Sequence, residues 1–485
     1  MNEKKSNLLF IIPGFFYIED YQKLLYYNDI PLGTLQISSF LKKKARIETD
    51  IVDLRVESEI NKDLEINAPN NDRFKENFLK LLERNNVQDY DNIGINCFTS
   101  FQYLYTDYIS KILKEEFPNI GLIVGGYHPS AVPRDFNYNG APYDFIIQGE
   151  AELPLIELFK SSKLKCRNSP SNPQILSAKT TIDVDKLPFP DYDLYLRKYP
   201  FKDKFKFEIY NSRGCPYQCA FCAKNYCFRS FSFKHFKKNF LRLCKLIEDY
   251  SSKSPKIGFT DQSFNTIAIS EKILDYILKN EFNEKLTFSC QSRIESIAES
   301  PGIINKLKKC KMVVGYGFET ANKDLLIEMH KTNKPTDYLE NTIKILEKYN
   351  ESNGTYCRLN VLVGFPGENK RTFDDSVDFI EKYALHENVQ ISPTLFENYP
   401  NAFVYNNMDY YENKFGTKFI KEWWKLPSNP LKNSIPLQSS KDYSLKEVLV
   451  DYVEKYTKIL NVFKKQSFLE LITWKKFYNK WIKQL

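Results

Sequence analysis

Apolar residues recur along this chain in two rhythms. The runs "LLFIIPG" (8–14), "ETDIVDL" (48–54), "DNIGINCF" (91–98), "IGLIVGG" (120–126) and "YDFIIQG" (143–149) are short and mostly apolar. That is the pattern of strands buried on both faces of a parallel sheet. Between them, 33–45, 74–86, 102–116 and a segment opening at about 151 with "AELPLIELFK" carry helical spacing. Five strands joined by crossovers of helical length predict a doubly wound, Rossmann-like α/β domain. Such a sheet takes ligands beyond the carboxyl ends of its strands. Those ends carry Pro13 and Gly14, Asn96 to Ser100, Gly125 to Ser130, and Gly149 with Glu150.

Residues 161–204 are less regular, and "IDVDKLPFPDYDLY" (182–195) reads as an extended linker. From 205 the alternation resumes with "FKFEIYNSRG", "KIGFTDQ" (256–262), "LTFSCQS" (286–292), "MVVGYGFET" (312–320), "TYCRLNVLVGFPG" (355–367) and "NVQISPTLF" (388–396). Each but the last leads into a helical pattern, which predicts a partial (β/α)6 barrel with its site at the strands' carboxyl ends. The tail is rich in Tyr, Trp and Lys and reads as mostly helical. The expected division is a first domain over 1–165, a linker over 166–204, the barrel over 205–396, and a C-terminal substrate-cap region over 397–485.

A chain of 485 residues is too long for one ordinary core. Its 42% hydrophobic and 27% charged residues are those of a globular protein. The net charge of +8 is spread in short lysine groups such as Lys42 to Lys44, which gives no reason to expect nucleic acid. The first apolar run meets Pro13 and Gly14, making a poor signal peptide and a good strand. No apolar run approaches the roughly 20 residues of a membrane span. A cytoplasmic protein is expected.

The ten cysteines are unevenly spread, and four fall inside "SRGCPYQCAFCAKNYC" (212–227). Without an export signal this favours a metal site over a disulfide framework. Cys215, Cys219 and Cys222 have the spacing C-x3-C-x2-C, just after a predicted strand, with Cys227 nearby. Three close thiolates hold either iron–sulfur or zinc. Structural zinc is usually closed by four protein ligands, for which Cys227 is the fourth candidate. An electron-transfer 4Fe–4S cluster also takes four cysteines, so three leave one iron open to another ligand.

This spacing, with Phe221 before the last cysteine and a barrel strand ahead of it, resembles the radical S-adenosylmethionine (SAM) superfamily. The likeness continues in "IGFTDQSFN" (257–265), "CQSRIES" (290–296), "GYGFET" (315–320) and "VLVGFPGE" (361–368). It implies a 4Fe–4S cluster on Cys215, Cys219 and Cys222, with SAM held at the open iron. Phe221, Asp261, Arg293, Glu319 and Gly364 become the expected SAM contacts. Each has a plainer reading. Phe221 suits simple packing, Asp261 a helix cap, Arg293 an ion pair, Glu319 a helix N-terminus, and Gly364 with Gly367 the turn around Pro366.

The first domain resembles the cobalamin-binding branch of that superfamily, the class B radical SAM methyltransferases. The carrying residues are "IPLGTLQISSFLKKK" (30–44), "IGINCFTS" (93–100), "GLIVGGYHPSAVP" (121–133), "DFIIQGEAELPLIEL" (144–158) and the linker "KLPFPDYDLY" (186–195). By that likeness Asn96, Thr99, Gly125, Gly126, His128, Gly149 and Glu150 are the expected cobalamin contacts. None of the four histidines stands in the D-x-H-x-x-G arrangement through which many cobalamin proteins ligate cobalt. Only Cys97 and Cys166 precede the barrel motif, too few for the second cluster of a methylthiotransferase.

The resemblance implies a cobalamin-dependent methyltransferase acting on an unactivated carbon or phosphorus of a biosynthetic intermediate. One SAM methylates the cobalamin, and a second yields the 5′-deoxyadenosyl radical that removes hydrogen from the substrate. Its partners are then a small-molecule or carrier-tethered substrate and an electron donor such as flavodoxin or ferredoxin. A cobalamin-dependent rearrangement or ring closure is the alternative within the branch. A non-enzymatic regulator binding cobalamin or metal is the alternative outside it. The stretch "YPNAFVYNNM" (399–408) lacks the family's Gly-Thr pair, and Trp423 and Trp424 read as packing residues, with stacking on a ligand as the alternative.

Overall fold

Apolar runs with no polar face fold where both faces are covered, and here they form two parallel sheets. The computed structural model describes residues 7–15, 30–57, 72–161, 172–200, 207–223, 227–250, 255–298, 300, 302–351, 355–426, 429–461 and 468–485. They fall into two units, 1–205 with 422–433, and 206–421 with 434–485. Among the described residues no helix is long and apolar enough to cross a membrane.

The first unit holds β1 (Asn7–Ile12), β2 (Glu48–Asp53), β3 (Asn92–Asn96), β4 (Gly121–Gly125), β5 (Phe145–Gln148) and β6 (Gln174–Ser177). Their order is β2-β1-β3-β4-β5-β6, all parallel. The order reverses between β1 and β3, the switch point where such sheets open a crevice. Helix α1 (Leu32–Ala45) follows β1, α2 (Asp72–Arg84) follows β2 and α3 (Tyr103–Glu116) follows β3. Phe74 and Phe78 of α2 and Tyr105, Ile109 and Ile112 of α3 pack on Leu9, Ile11, Ile93 and Ile95 of the sheet.

Two expectations about the chain's division change. The segment 166–204 is not a free linker, because its β6 joins the sheet beside β5. Its later part also packs on the first unit, where Gln36 and Ser39 donate to the carbonyls of Pro188 and Phe189. Residues 166–171 and 201–204 lie outside the described residues. The tail 397–485 is not one cap. Its 422–433 stretch belongs to the first unit, where Trp423 and Trp424 are buried.

The second unit runs β7 (Phe207–Ile209), β8 (Lys256–Phe259), β9 (Thr287–Arg293), β10 (Met312–Glu319), β11 (Cys357–Val363) and β12 (Val389–Leu395). Each strand pairs in parallel with the one before it, and among the described residues β7 and β12 lie at the edges. This is the partial barrel of six strands, with helices such as α4 (Phe233–Tyr250), α5 (Pro335–Asn350) and α6 (Lys370–Tyr383) in the crossovers. A later helix, α7 (Leu445–Asn461), packs beside α6.

Candidate active site

The cysteine loop leaves the carboxyl end of β7 and is fastened at its root. Asp261, just past β8, is 2% exposed. Its Oδ1 accepts from the Asn211 N–H at 2.7 Å and from Ser212 Oγ at 2.7 Å, and its Oδ2 from Asn211 Nδ2 at 3.0 Å. Burial pushes this carboxyl up to about 6, against the pull of those donors. Asp261 therefore fastens the loop at its root, and it also lines the cavity inside the barrel.

Gly214, at φ +76°, turns the chain into Cys215. Cys215, Cys219 and Cys222 are all half-buried, while Cys227 is exposed. Between them Ala220 is fully buried, donating to the Met329 carbonyl at 2.8 Å and accepting from the Val404 N–H at 3.0 Å. It sits in an apolar cluster with Leu325, Leu362, Phe365 and Phe396, against which Phe221 packs. Burial raises the Cys215 thiol, and the nearby Cys219 and Cys222 add to it. Among the described residues no three His, Cys, Asp or Glu side chains are gathered as a ready metal site. The three thiols share one loop rather than a preformed centre.

Arg293 ends β9 and is 6% exposed. Its Nη1 donates to Cys219 Sγ at 2.9 Å and its Nη2 to Glu295 Oε1 at 2.8 Å and to the Lys331 carbonyl. The guanidinium also lies 4.0 Å from the centre of the Tyr217 ring. It braces the loop from two sides.

Glu319 ends β10 at φ +70° and pairs with Lys331, Nζ to Oε1 at 2.8 Å. Lys331 Nζ also stands 5.9 Å from the Phe221 ring centre. A Cβ on Gly317 would come within 2.6 Å of both charged groups, so a bare strand makes room for the pair. Lys331 is not legible in the sequence, since nothing in "EMHKTNKP" (328–335) marks one lysine for burial.

Gly364 is tied into a turn. Its N–H donates to Glu368 Oε2 at 2.5 Å and its carbonyl accepts from Ser439 Oγ at 3.2 Å. Val448 Cγ1 of α7 lies 3.4 Å from the position of an added Cβ. The glycine serves a turn closed by the C-terminal segment.

In the first unit, Asn96 of β3 donates from Nδ2 to Thr34 Oγ1 of α1 at 2.9 Å, bridging the switch point. Thr99 is buried. Gly125 accepts from the Cys97 N–H at 2.8 Å. Gly126 stands at φ +114°, where a Cβ would lie 2.5 Å from the Cys97 carbonyl oxygen, so only glycine fits. Gly149 is at φ +86°, and nothing lies within 4 Å of an added Cβ, nor at Gly33 in the first turn of α1. Glu150 beside it is half-buried. Phe98, on the same rim, is 43% exposed. An apolar ring beside bare backbone suits the face of a large flat ligand.

His128 is a correction. It is fully buried, its Nδ1 paired with Ser100 Oγ at 2.8 Å and its Nε2 3.3 Å from Asp135 Oδ2. Burial lowers its tendency to protonate. Trp424 Nε1 donates to the same Asp135 at 2.6 Å, and Lys425 Nζ lies 2.8 Å from its other oxygen. The histidine is a core residue with no surface to offer a ligand.

The chain matches two family models, the B12 binding domain over residues 25–159 and the radical SAM superfamily over 209–380. It is 26% identical over 318 residues to an uncharacterized methyltransferase of Pyrococcus horikoshii, covering 61% of this chain and 64% of the relative. It is 22% identical over 320 residues to the anaerobic magnesium-protoporphyrin IX monomethyl ester cyclase of Cereibacter sphaeroides, covering 61% of this chain and 50% of that one. The chain thus spans less than two thirds of either relative. Its fold resembles that of the radical SAM methyltransferase TsrM of Kitasatospora setae, a structure with cobalamin and a 4Fe–4S cluster bound. The TM-score is 0.57 at 15% identity, covering 82% of this chain and 74% of that one. With both models matched in that order, the chain resembles the members of the radical SAM superfamily that carry a B12-binding domain ahead of the barrel.

Proposed function

We propose that this chain is a cobalamin-dependent radical SAM methyltransferase acting on an unactivated carbon or phosphorus of a biosynthetic intermediate. One observation carries the reading. A C-x3-C-x2-C loop sits at the carboxyl end of the first strand of a parallel barrel, braced by Arg293 and rooted on Asp261. Cys215, Cys219 and Cys222 would hold the cluster. The Glu319–Lys331 pair offers one anion and one cation to the ammonium and carboxylate of SAM, with Phe221 beside them. The open rim of Gly33, Phe98 and Gly149 would receive cobalamin. When bound, the cluster supplies the electron that cleaves SAM and cobalamin carries the methyl group. The chain's own part is to hold the loop rigid, to orient SAM by its charged end, and to present substrate in the barrel. An electron donor of the flavodoxin or ferredoxin kind is required, and the cytoplasm is the matching compartment.

The likeness to the cyclase favours a second reading, ring formation without net methyl transfer. A single series of measurements separates these from the regulator. The protein is purified without oxygen, reconstituted with iron, sulfide and hydroxocobalamin, desalted, and analysed for metals. About four irons per chain, retained cobalamin, and deuterium passing from methyl-labelled SAM into a product are expected. Iron without cobalamin overturns the methyltransferase reading. Zinc in place of iron overturns both enzymatic readings.

A further inference from the structure

The register of the barrel sheet sets side chains in layers. Gln291 of β9 lies beside Gly315 of β10, Gly315 beside Arg358 of β11, and Arg358 beside Gln390 of β12. Two residues further on, Arg293, Gly317, Asn360 and Ser392 make the next layer on the same face. There Arg293 touches Cys219. The opposite face is ordinary core, with Met312, Val314, Tyr316 and Phe318 of β10 all fully buried. The inner face is different. Gln291 and Arg358 are exposed although their strands have neighbours on both sides.

Barrel interiors are usually packed with branched apolar side chains. Here the interior opens into a cavity of about 280 Å³ lined by Asp261, Gln262, Ser289, Gln291, Gly315 and Arg358, among others, with the Asp261 carboxylate taken up by Asn211 and Ser212. Gly315 keeps the middle strand bare, since a Cβ there would meet Gln291 Oε1 at 2.4 Å. Gln291 Oε1 accepts from Asn360 Nδ2 at 3.0 Å, which leaves its own amide nitrogen as a donor.

Arg358 is the group that gives the cavity its chemistry. Its Nε donates to Gln390 Oε1 at 3.1 Å. Among the described residues that is its one hydrogen bond, and no carboxylate lies within ion-pair distance. Structural arginines elsewhere in this chain are paired, as Arg55 is with Asp53 and Arg293 with Glu295. An unpaired guanidinium with both Nη groups free, flanked by amides, is a fork for a planar anion.

We propose that Arg358, assisted by Gln291 and Asn360, holds a carboxylate of the substrate inside the barrel. The assignment rests on the enzymatic reading above and names the class of its substrate. From Arg293 to Arg358 the sheet geometry spans about 7 Å along the strands and about 10 Å across them. A substrate anchored there has room to extend its reacting atom towards the cysteine loop.

The test is equilibrium binding to the reconstituted full chain. Acetate and phenylacetate are the probes, their amides the neutral controls, and SAM is measured separately. Wild type is expected to bind phenylacetate at least tenfold more tightly than Arg358→Gln, with Arg358→Lys in between. Phenylacetamide should not distinguish the three proteins, and SAM should bind all of them equally. Equal binding of acid and amide, or of acid to wild type and Arg358→Gln, overturns the proposal. A parallel loss of SAM affinity in Arg358→Gln also overturns it, by giving the guanidinium to the carboxylate of SAM. Because no turnover or cobalamin is needed, failure of the methyltransferase reading would leave these results standing.

Discussion

Arg293 Nη1 donates to Cys219 Sγ at 2.9 Å, from the end of the third barrel strand to the middle of the cysteine loop. The same guanidinium bonds Glu295 and the Lys331 carbonyl, so one side chain ties the loop to two other parts of the rim. A charge-assisted hydrogen bond contributes about 1.5–3 kcal/mol, and removing one partner leaves the others unsatisfied.

Arg293→Gln is therefore expected to lower iron retention after reconstitution by more than half. Thermal unfolding should shift downwards as well. Arg293→Lys, which keeps the charge but loses the fork, should fall between the two proteins. Iron analysis and the cluster's absorption on the same samples check this. Unchanged iron in Arg293→Gln would show that the cysteines fold around a cluster without the brace.

Much of this fold is written locally. Strands β1, β3, β4 and β5 lie within a few residues of their apolar runs, because a strand covered on both faces must be apolar throughout. Strand β6 is not legible for the converse reason. "QILS" is an edge strand whose residues alternate between half-buried and exposed, and its sequence resembles a loop. The cysteine motif is legible because its ligands lie close together in sequence. What braces it is not. Asn211 and Ser212 meet Asp261 about fifty residues away in sequence, and Lys331 meets Glu319 only through the fold. His128 shows the same limit, since "GGYHPS" carries no sign of the tryptophan and aspartate that bury it.

The Glu319–Lys331 pair is a second point of strain and strength. Its side chains are 11% and 4% exposed, so neither charge is well solvated without the other. Breaking such a pair from one side costs about 3–5 kcal/mol, whereas removing both charges costs far less. Lys331→Met is expected to destabilise the second unit by that amount, and Lys331→Met with Glu319→Gln to recover most of it. The double-mutant cycle, followed by chemical denaturation, reads the coupling directly. SAM binding should be lost in Lys331→Met, in Glu319→Gln and in the double variant, because at least one end of the amino-acid group loses its partner in each. Retained SAM affinity in the double variant would assign the pair a structural role alone.

Glu368 makes stability depend on pH in a direction opposite to that of a salt-bridged carboxylate. It is 1% exposed and accepts the Gly364 N–H at 2.5 Å. Burial pushes its carboxyl up to about 8, the Gly364 N–H draws it back, and nearby Asp451 adds to the rise. An unfolded glutamate titrates near 4.5, so the native state binds the extra proton between about 4.5 and about 8. Stability therefore falls as pH rises through that window and levels off above it. The contribution is on the order of 5 kcal/mol across the full window. In Glu368→Gln the amide oxygen still accepts from Gly364 but cannot ionise. Wild type and variant should unfold at similar midpoints at pH 5, with the variant progressively the more stable by pH 9. The other raised carboxyls, Asp261 and Glu397, titrate with the same sign in both proteins and cancel in the difference. Parallel midpoints from pH 5 to pH 9 would mean that Glu368 is ionised in the folded state, and that the turn at Gly364 opens to let water reach it.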